Sequence, residues 1–206
     1  MADKSYTTLA KVNQYLGKTL VTADVSDLIL SAQLLIENLT GRNFKADSVA
    51  SAKLFSGKGQ SSLVIDDCIE VTKVEIGSNN WGDSFTEIDP FIQETNVTGY
   101  VKLPINYSED SLPIRKLLLR SRVFSYGLAN QRITAKWGWS ETVPDDVSFA
   151  ATVIVAGMYN YGIGGAIGGV KSERVGEYGV TFVESNGWSD FDKAKVILNN
   201  YVRHLL

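Results

Sequence analysis

The spacing of apolar residues changes twice along this 206-residue chain, and these two changes constrain the fold more than any other feature. Apolar residues recur at helical spacing before about residue 50 and after about residue 141. Between residues 53 and 140, short β-prone runs alternate with clusters of Gly, Asn, Asp and Pro. The pattern predicts an α+β protein, in which a small bundle of about four helices carries a β-rich antiparallel insertion, a small sheet or barrel. We expect residues 1–52 plus 141–206 to form the helical core and residues 53–140 the insertion.

Two helices are predicted before the β-rich region. The first covers residues 8–16 and is stopped by Gly17. The second has a wide apolar stripe, which should pack against the body of the domain. Thr22 or Asp24 can cap its start, and Gly41 stands where a left-handed C-terminal cap belongs. The stripe consists of Val25, Leu28, Ile29, Ala32, Leu35, Ile36 and Leu39.

Two further helices are predicted after the β-rich region. One begins near Pro144, carries two aspartates in its first turn, where the helix dipole favours acids, and runs to about Tyr161. The last begins at Ser189, with Asp192 completing an approximate capping box, and its apolar stripe continues to the chain end.

The β-rich region carries three local signals. The apolar residues of the run 69–77 change phase, which predicts a bulge near Thr72 or Lys73. Pro104 favours an edge position for the run 100–105, because proline cannot donate a ladder hydrogen bond. Residues 132–139 alternate between polar and apolar, as in a half-buried strand. Its apolar face consists of Ile133, Ala135, Trp137 and Trp139.

The chain lacks the residues that most catalytic and metal sites require. Its one cysteine, Cys68, and one histidine, His204, cannot supply a typical zinc site or nucleophile–histidine pair. Neighbouring aspartates, as in "IDDC" and "VPDD", diverge on a strand or a helix and make no natural acid–base couple. We therefore predict no catalytic, cofactor or metal residues and no enzyme activity. A carboxylate hydrolase would need clustered acids in a cleft, which sequence alone does not reveal.

The net charge and the hydropathy of the chain argue against further classes of protein. The net charge of −3 argues against broad attraction to phosphates. No run reaches the roughly 18 apolar residues of a helical membrane span, and no signal peptide is visible. A single cysteine allows no intrachain disulfide, which favours synthesis in a reducing compartment.

The glycine-rich stretch "GIGGAIGG", residues 162–169, superficially resembles a phosphate-binding loop. It follows a predicted helix instead of opening one, and it lacks the Gly-Lys-Ser/Thr of a P-loop. We interpret it as a flexible helix exit. The charged segment "KSERVGEYGVTF", residues 171–182, comes next and ends in a β-prone run.

Two other features permit binding. In "IRKLLLRSR", a strand would place Lys116, Arg120 and Arg122 on one face, which fits phosphate contact or, more simply, a solvated face. Trp137 and Trp139 could stack on sugars or bases, but their alternation with polar residues indicates core or interface packing first. The alternative function is therefore a β-rich sugar- or peptide-binding module of a structural protein.

Several ordered segments carry a resemblance. They are "VNQYLG", "DLILSAQLLIENLTGRNF", "AKWGWSETVPDDVSFAATVIVAGMYNYG" and "GVKSERVGEYGVTF", followed by the last helix. This order resembles the adaptor, or head–tail connector, proteins of tailed bacteriophages and prophages. The resemblance spans nearly the whole chain and is weakest over residues 53–140.

The resemblance implies a non-enzymatic virion protein made in the host bacterial cytoplasm and needing no cofactor. Such proteins are similar in role: they form a twelvefold ring beneath the portal protein, extend the DNA channel and dock a stopper or tail-completion protein. Double-stranded DNA would pass through the ring without sequence-specific binding, and no membrane is involved. The expected location is the neck of the virion.

Two contact sites follow as expectations. A hairpin or arm within residues 171–182 would contact another subunit or the stopper through Lys171, Glu173, Arg174, Glu177 and Tyr178, since mixed charges suit the rim of an interface. The end of the last helix would dock on the portal or on a neighbouring subunit through Tyr201, Val202, Leu205 and Leu206.

Overall fold

The protein is described by a computed structural model covering residues 5–78, 80–82, 84–92, 96, 98–164, 172–175, 178–181 and 187–203. It divides into two compact units. The helical unit comprises Asp3–Arg42 and Pro144–Leu206, and the β unit comprises Asn43–Val143. The predicted domain division, residues 1–52 plus 141–206 and residues 53–140, stays a prediction.

Four helices make up the helical unit within the described residues, and their number and the α+β class confirm the predicted fold. They are α1 (Leu9–Leu16), α2 (Thr22–Thr40), α3 (Asp145–Gly164) and α4 (Gly187–Asn199). α3 packs against the other three. Its residues 150–156 are all buried, which agrees with the rule that a helix apolar on every side lies at the centre of a bundle.

The helix ends show where local chemistry decides structure. Thr8 caps α1 by accepting a hydrogen bond from the Lys11 backbone N–H, and Gly17 and Gly41 end α1 and α2 in the left-handed conformation, as predicted. Neither of the two residues predicted to cap α2, Thr22 and Asp24, is its N-cap residue. Val21 is the N-cap residue, and Asp24 Oδ2 accepts from its backbone N–H at 3.4 Å.

Both later helices have different limits from those predicted. α4 begins at Gly187, before Ser189, and ends at Asn199 instead of continuing to the chain end. α3 continues to Gly164, so the first glycines of "GIGGAIGG" are helical. Residues 165–171 lie outside the described residues. The apolar pattern continues past Asn199, but the backbone N–H groups of Asn200 and Tyr201 donate to Ile197 O and Leu198 O, three residues earlier, so the chain leaves the α-helix at this point.

The β unit contains a six-stranded sheet with the order β1-β6-β2-β5-β4, in which β3 pairs separately with β2. Every pair of these strands is antiparallel. β4 lies at one end of this order, which confirms the edge position predicted from Pro104. The strands are β1 (Ser51–Gly57), β2 (Ser62–Gly77), β3 (Phe85–Ile88), β4 (Tyr100–Leu103), β5 (Ile114–Leu119) and β6 (Gly127–Trp137).

β2 organises the sheet because it joins two sets of neighbours. Its first half pairs with β5 and its second half with β6 and β3. The register shifts between Val71 and Lys73, which confirms the predicted bulge, and shifts again between Cys68 and Glu70. Such irregularities bend a strand and increase its twist. The two runs that the sequence separates at "DDC" therefore form one strand.

The core of the β unit lies on the apolar face predicted for β6. Ile133, Ala135 and Trp137 are buried, and residues of β2 and β5 complete the cluster. Trp139 lies beyond the end of β6, where its ring packs at 5.8 Å from that of Phe44.

The predicted stripe of α2 is buried only in part. Val25, Ala32 and Ile36 are fully buried, whereas Leu35 and Leu39 are exposed on the flank of the same stripe. The prediction that α2 packs against the body of the domain is confirmed by its contacts with α3, although part of the wide stripe stays exposed.

Candidate functional site

Three connections of the β unit meet at one end of the sheet. The turn between β1 and β2 is joined to the β5–β6 connection, since the Gly59 backbone N–H donates to Phe124 O at 3.1 Å. The β2–β3 loop is joined to the start of β6, since the Trp81 backbone N–H donates to Leu128 O at 2.7 Å. Side chains from separate parts of the sequence therefore form one surface.

That surface exposes large apolar side chains beside cations. Trp81 is 67% exposed and Tyr126 is 84% exposed, and Leu128 is half exposed. Lys58 and Arg122 are also exposed. We call this surface, consisting of Lys58, Trp81, Arg122, Tyr126 and Leu128, the aromatic end.

Buried amides hold the aromatic end in place. Asn130 and Gln131 are both fully buried, and the amide nitrogens of both donate to Ser125 O, at 3.1 and 3.0 Å. Asn130 Oδ1 accepts from the Gly57 backbone N–H at 3.0 Å. These bonds satisfy backbone groups of the turns from within the unit, so the loops that carry the exposed aromatic residues are preformed.

Two residues here adopt the left-handed conformation that non-glycine residues rarely adopt. The φ angles of Trp81 and Ala129 are +65° and +49°. Such conformations persist only where surrounding bonds impose them, and they cluster at functional sites. Here Ala129 N–H donates to Ser56 Oγ at 3.1 Å, which ties the strained residue to β1.

A second exposed surface lies at the other end of β5. The connection from β4 to β5 exposes Ile105 by 74% and also exposes Glu109 and Asp110. Residues 104–112 contain no Lys or Arg. We call this segment, residues 104–112, the acidic loop. Three backbone hydrogen bonds fold it on itself: Tyr107 N–H to Pro104 O at 3.3 Å, Asp110 N–H to Asn106 O at 3.0 Å and Leu112 N–H to Tyr107 O at 2.9 Å.

A charged cluster on β2 and β6 serves stability. Arg132 Nε and Nη2 donate to the two carboxylate oxygens of Glu75, both at 2.7 Å, and Lys73 lies 3.0 Å from the same carboxylate. The hydrogen bonds from Arg132 hold the pKa of Glu75 down at about 2. The Arg132 guanidinium also lies 4.1 Å from the ring centre of Phe85. Every charge in this cluster has a partner, so we assign it to folding.

The predicted tryptophan surface is not available for stacking on a sugar. Trp137 is buried, its indole N–H donates to Ser51 O at 2.8 Å, and Lys53 Nζ lies 4.6 Å from its ring centre. Trp139 packs on Phe44. The interpretation as core packing is therefore the one that the geometry supports.

The predicted basic strand face does not form. β5 ends at Leu119, so Arg120 and Arg122 lie in the following connection and only Lys116 is in the strand. Arg120 covers the ring of Phe91 at 4.7 Å. The prediction was wrong because the turn begins directly after the last apolar residue of the run.

The predicted contact hairpin lies in the helical unit. β7 (Ser172–Val175) and β8 (Tyr178–Thr181) pair antiparallel, with Arg174 opposite Gly179. Glu173 and Arg174 are in β7 and Tyr178 is in β8, whereas Lys171 and Glu177 lie outside the described residues. The role of this hairpin in a subunit or stopper contact stays a prediction.

The predicted portal-docking end is tied to its own unit over the part that the structure describes. Tyr201 Oη donates to Asp146 Oδ2 at 2.7 Å, and Tyr201 O accepts from Arg42 Nε. Arg203 N–H donates to Thr40 O at 2.9 Å. Burial, and then the bond to Asp146, raise the pKa of Tyr201 to about 12. Tyr201 and Val202 are half-buried, and Leu205 and Leu206 lie outside the described residues, so docking here stays a prediction.

The described residues bring together no group of three or more His, Cys, Asp or Glu suited to a metal ion. Among the described helices, none is both long enough and apolar enough to cross a bilayer. Cys68 is fully buried, and burial, reinforced by Asp67, raises its pKa to about 12. A protonated, inaccessible thiol is a poor nucleophile.

Sequence reasoning missed the aromatic end. A usable signal was present: Trp81 stands in "NNWGD" and Tyr126 in "SYG", where large aromatic residues lie among turn formers. A turn places its side chains at the surface, so an aromatic residue there is exposed more often than one in an alternating strand. The meeting of the three connections had no local signal.

Comparison with solved structures identifies a shared fold. The chain is similar to a chain of the neck of an empty GTA (gene transfer agent) particle computed with C6 symmetry, with a TM-score of 0.56 and 12% identity over 96% of this chain and 90% of that one. It is also similar to a chain of the neck of a native GTA particle computed with C12 symmetry, with a TM-score of 0.47 and 12% identity over 100% of this chain and 98% of that one. No protein-family model and no curated protein matches the chain. At 12% identity, the first likeness shows that the two chains share a fold.

Proposed function

We propose that this chain is a structural subunit of a phage-like neck, a head–tail connector of the adaptor type. The observation that carries the proposal is the likeness to the neck chain of the empty GTA particle, which extends over nearly the full length of both chains. The segments that resemble phage adaptors provide separate support from the sequence. A shared fold alone does not define function, so the proposal depends on the two together.

The subunit would act as part of a closed ring. The similar neck structure was computed with C6 symmetry, and sixfold symmetry is compatible with rings of six or twelve copies. We propose the twelvefold ring that the adaptor resemblance implies, located at the virion neck between portal protein and stopper or tail-completion protein. A head-to-tail ring requires two different complementary surfaces on each copy.

The DNA in such a ring needs a passage, not a binding site. The chain carries a net charge of −3, and the Arg132 guanidinium is bonded to both carboxylate oxygens of Glu75. Weak phosphate contact suits DNA that must move through the channel. We expect duplex DNA at physiological salt to show no sequence-dependent binding to the isolated chain in fluorescence anisotropy.

The decisive experiment is imaging of the purified chain mixed with the portal protein encoded in the same phage or prophage genome. We expect rings of this chain on one face of the portal, visible by electron microscopy. A mixture in which the folded chain leaves every portal bare would refute the proposal. The portal alone and the chain alone are the controls.

Two variants test the predicted contacts. Removal of residues 202–206 should abolish portal binding, and thermal unfolding must first show that the shortened chain still folds, because Arg203 bonds to Thr40. Arg174→Glu should weaken ring or stopper assembly, and Lys195→Glu, an exposed change of equal charge on α4, is its control. Normal assembly by both variants would show that these residues do not form the predicted contacts.

A further inference from the structure

We infer that the β unit provides the contact between neighbouring copies of this chain: the aromatic end of one copy binds the acidic loop of the next. The inference rests on the proposed ring and names its interface. Neither surface was identified from the sequence, and both are defined by described side chains of the β unit alone.

The aromatic end has the composition of an interface centre. Trp81 and Tyr126 are among the residue types that contribute most to binding energy, and both are largely exposed here. Leu128 adds an aliphatic contact, and Lys58 and Arg122 flank the patch. The three connections together contain three cationic residues, Lys58, Arg120 and Arg122. They contain one acidic residue, Asp83, which lies outside the described residues. A partner surface of acids around an apolar side chain would complement it.

The acidic loop offers that complement on the same molecule. Ile105 is 74% exposed, and Glu109 and Asp110 of the same short loop are also exposed. Burying Ile105 against an aromatic residue of the next copy would remove apolar surface from water, which favours association. The two acids can face the two cations of the aromatic end, which favours the correct pairing over others.

The geometry fits head-to-tail assembly. The acidic loop precedes Ile114, the first residue of β5, and the aromatic end follows Leu119, its last residue. Six strand residues separate the two surfaces by about 20 Å, so one copy cannot close them on each other. Two unlike surfaces at opposite ends of a rigid element generate a ring or a helix of copies.

Preformed loops lower the cost of association. The Tyr107 side chain packs on the core of the β unit. The Tyr107 backbone oxygen accepts a hydrogen bond from the Leu112 N–H, which closes the acidic loop. Asn130 and Gln131 fix the connections at the aromatic end from inside. Little backbone ordering is therefore required on binding, and ordering is a main cost of forming an interface.

A protein occupant fits the aromatic end better than a nucleic acid does. Leu128 and Val123, both half exposed, offer no stacking surface to bases. Two flanking cations are few for phosphate binding on a chain with a net charge of −3. The single-stranded nucleic acid that exposed aromatic residues could bind is thus an outcome to be excluded by the test.

Crosslinking can test the pairing directly, because Cys68 is fully buried and newly introduced cysteines are the reactive thiols. In full-length chains, we expect Leu128→Cys and Ile105→Cys variants to form heterodimers when mixed with a short bis-maleimide. Neither variant alone should form homodimers, and the chain carrying both changes should form a ladder of oligomers. Homodimers of Leu128→Cys, or no heterodimer, would overturn the inference.

Charge reversal tests the chemistry of the contact. Lys58→Glu/Arg122→Glu in the Leu128→Cys chain should lower the heterodimer yield about tenfold, as expected for like charges brought together. Adding Glu109→Lys/Asp110→Lys to the Ile105→Cys partner should restore the yield. The control Lys18→Glu/Lys195→Glu changes the charge by the same amount at exposed positions of the helical unit and should leave the yield unchanged. A yield that does not respond to the reversal refutes the pairing.

Trp81→Ala supplies a variant without any charge change, and it should abolish the crosslink while leaving thermal unfolding unchanged, since the side chain is exposed. Binding of a single-stranded oligonucleotide that is lost in Trp81→Ala would overturn the inference in favour of nucleic acid.

Rings that form on the portal despite the charge reversals would refute this interface and leave the proposed function standing. Heterodimers with the expected pairing, but no ring on the portal, would refute the proposed function and leave this contact standing.

Discussion

Replacing Glu75 with glutamine removes one charge from the Glu75–Arg132 ion pair of the β unit while preserving side-chain size. The Glu75 side chain is 6% exposed and accepts both hydrogen bonds of the Arg132 guanidinium. In Glu75→Gln, the new amide group presents two N–H donors where the carboxylate presented an acceptor. One of the two Arg132 bonds is lost, and the other becomes a bond to a neutral oxygen.

The magnitude follows from the structure. Removing one partner of a fully buried pair costs about 3–5 kcal/mol, because the remaining charge is stranded. Arg132 is 38% exposed and regains water, so we expect about 2 kcal/mol for Glu75→Gln. With a urea dependence of about 1–3 kcal/mol per molar, the unfolding midpoint should fall by about 1 M.

The pH dependence gives an independent check. Lowering the pKa of Glu75 from 4.5 to about 2 is equivalent to about 3 kcal/mol in the absence of screening, and water around Arg132 reduces this to about 1–2 kcal/mol. Because the folded pKa is the lower one, this stabilisation is complete above pH 4.5 and is lost as the pH falls toward about 2. Glu75→Gln should flatten the pH dependence of the unfolding midpoint in this range.

The assay is urea unfolding followed by circular dichroism between pH 7 and pH 2. Glu70→Gln is the matched control: Glu70 also lies on β2 and bonds to a cation of β6, Lys136, at 2.7 Å, but its side chain is 46% exposed. The control should leave the midpoint nearly unchanged, since exposed pairs contribute little. Equal effects of the two substitutions, or an unchanged pH profile in Glu75→Gln, would refute the assignment of this cluster to stability.

Three further predictions concern local features. Gly138→Ala should destabilise the protein by about 2 kcal/mol or more in thermal unfolding, because φ is +134° and a Cβ would lie 2.4 Å from the Ala46 Cα; wild-type stability would contradict the described backbone. Native Cys68 should react with maleimide about 100-fold more slowly than in urea, since its pKa is raised to about 12 by burial; fast native labelling would show that the core opens. Tyr201→Phe should lower stability by about 0.5–1 kcal/mol through loss of the bond to Asp146, measured by thermal unfolding, and no change would indicate that this bond is replaced by water.

Local sequence signals predicted much of the fold, because the forces that set helix ends and strand faces act over a few residues. The left-handed caps at Gly17 and Gly41 follow from the conformational freedom of glycine, and the buried face of β6 follows from strict alternation. Prediction failed where neighbours decide the outcome. α4 ends at Asn199 although its apolar pattern continues, and Leu35 and Leu39 of α2 stay exposed beside the buried part of the same stripe.

The candidate surfaces were less predictable than the fold. Trp137 was predicted correctly as a core residue, because it alternates with polar neighbours in a strand. Trp81 has no such pattern. Its place at the aromatic end depends on Leu128, 47 positions later in the chain, because the Leu128 backbone oxygen accepts a hydrogen bond from the Trp81 backbone N–H. The contacts predicted for the hairpin and for the chain end rest on local charge and apolar patterns, and they stay predictions.

By itself, the sequence determined the α+β class, the number of helices and the location of the β-rich region, because hydrophobic period is a property of neighbouring residues. It also determined the scarcity of catalytic groups, since one histidine and one cysteine cannot build the common sites. Only the tertiary structure decided that β2 is one strand shared by two sets of neighbours and that three distant connections form the aromatic end. Those features arise from pairing between residues far apart in the chain, and the register of such pairing is set by the packing of the whole sheet.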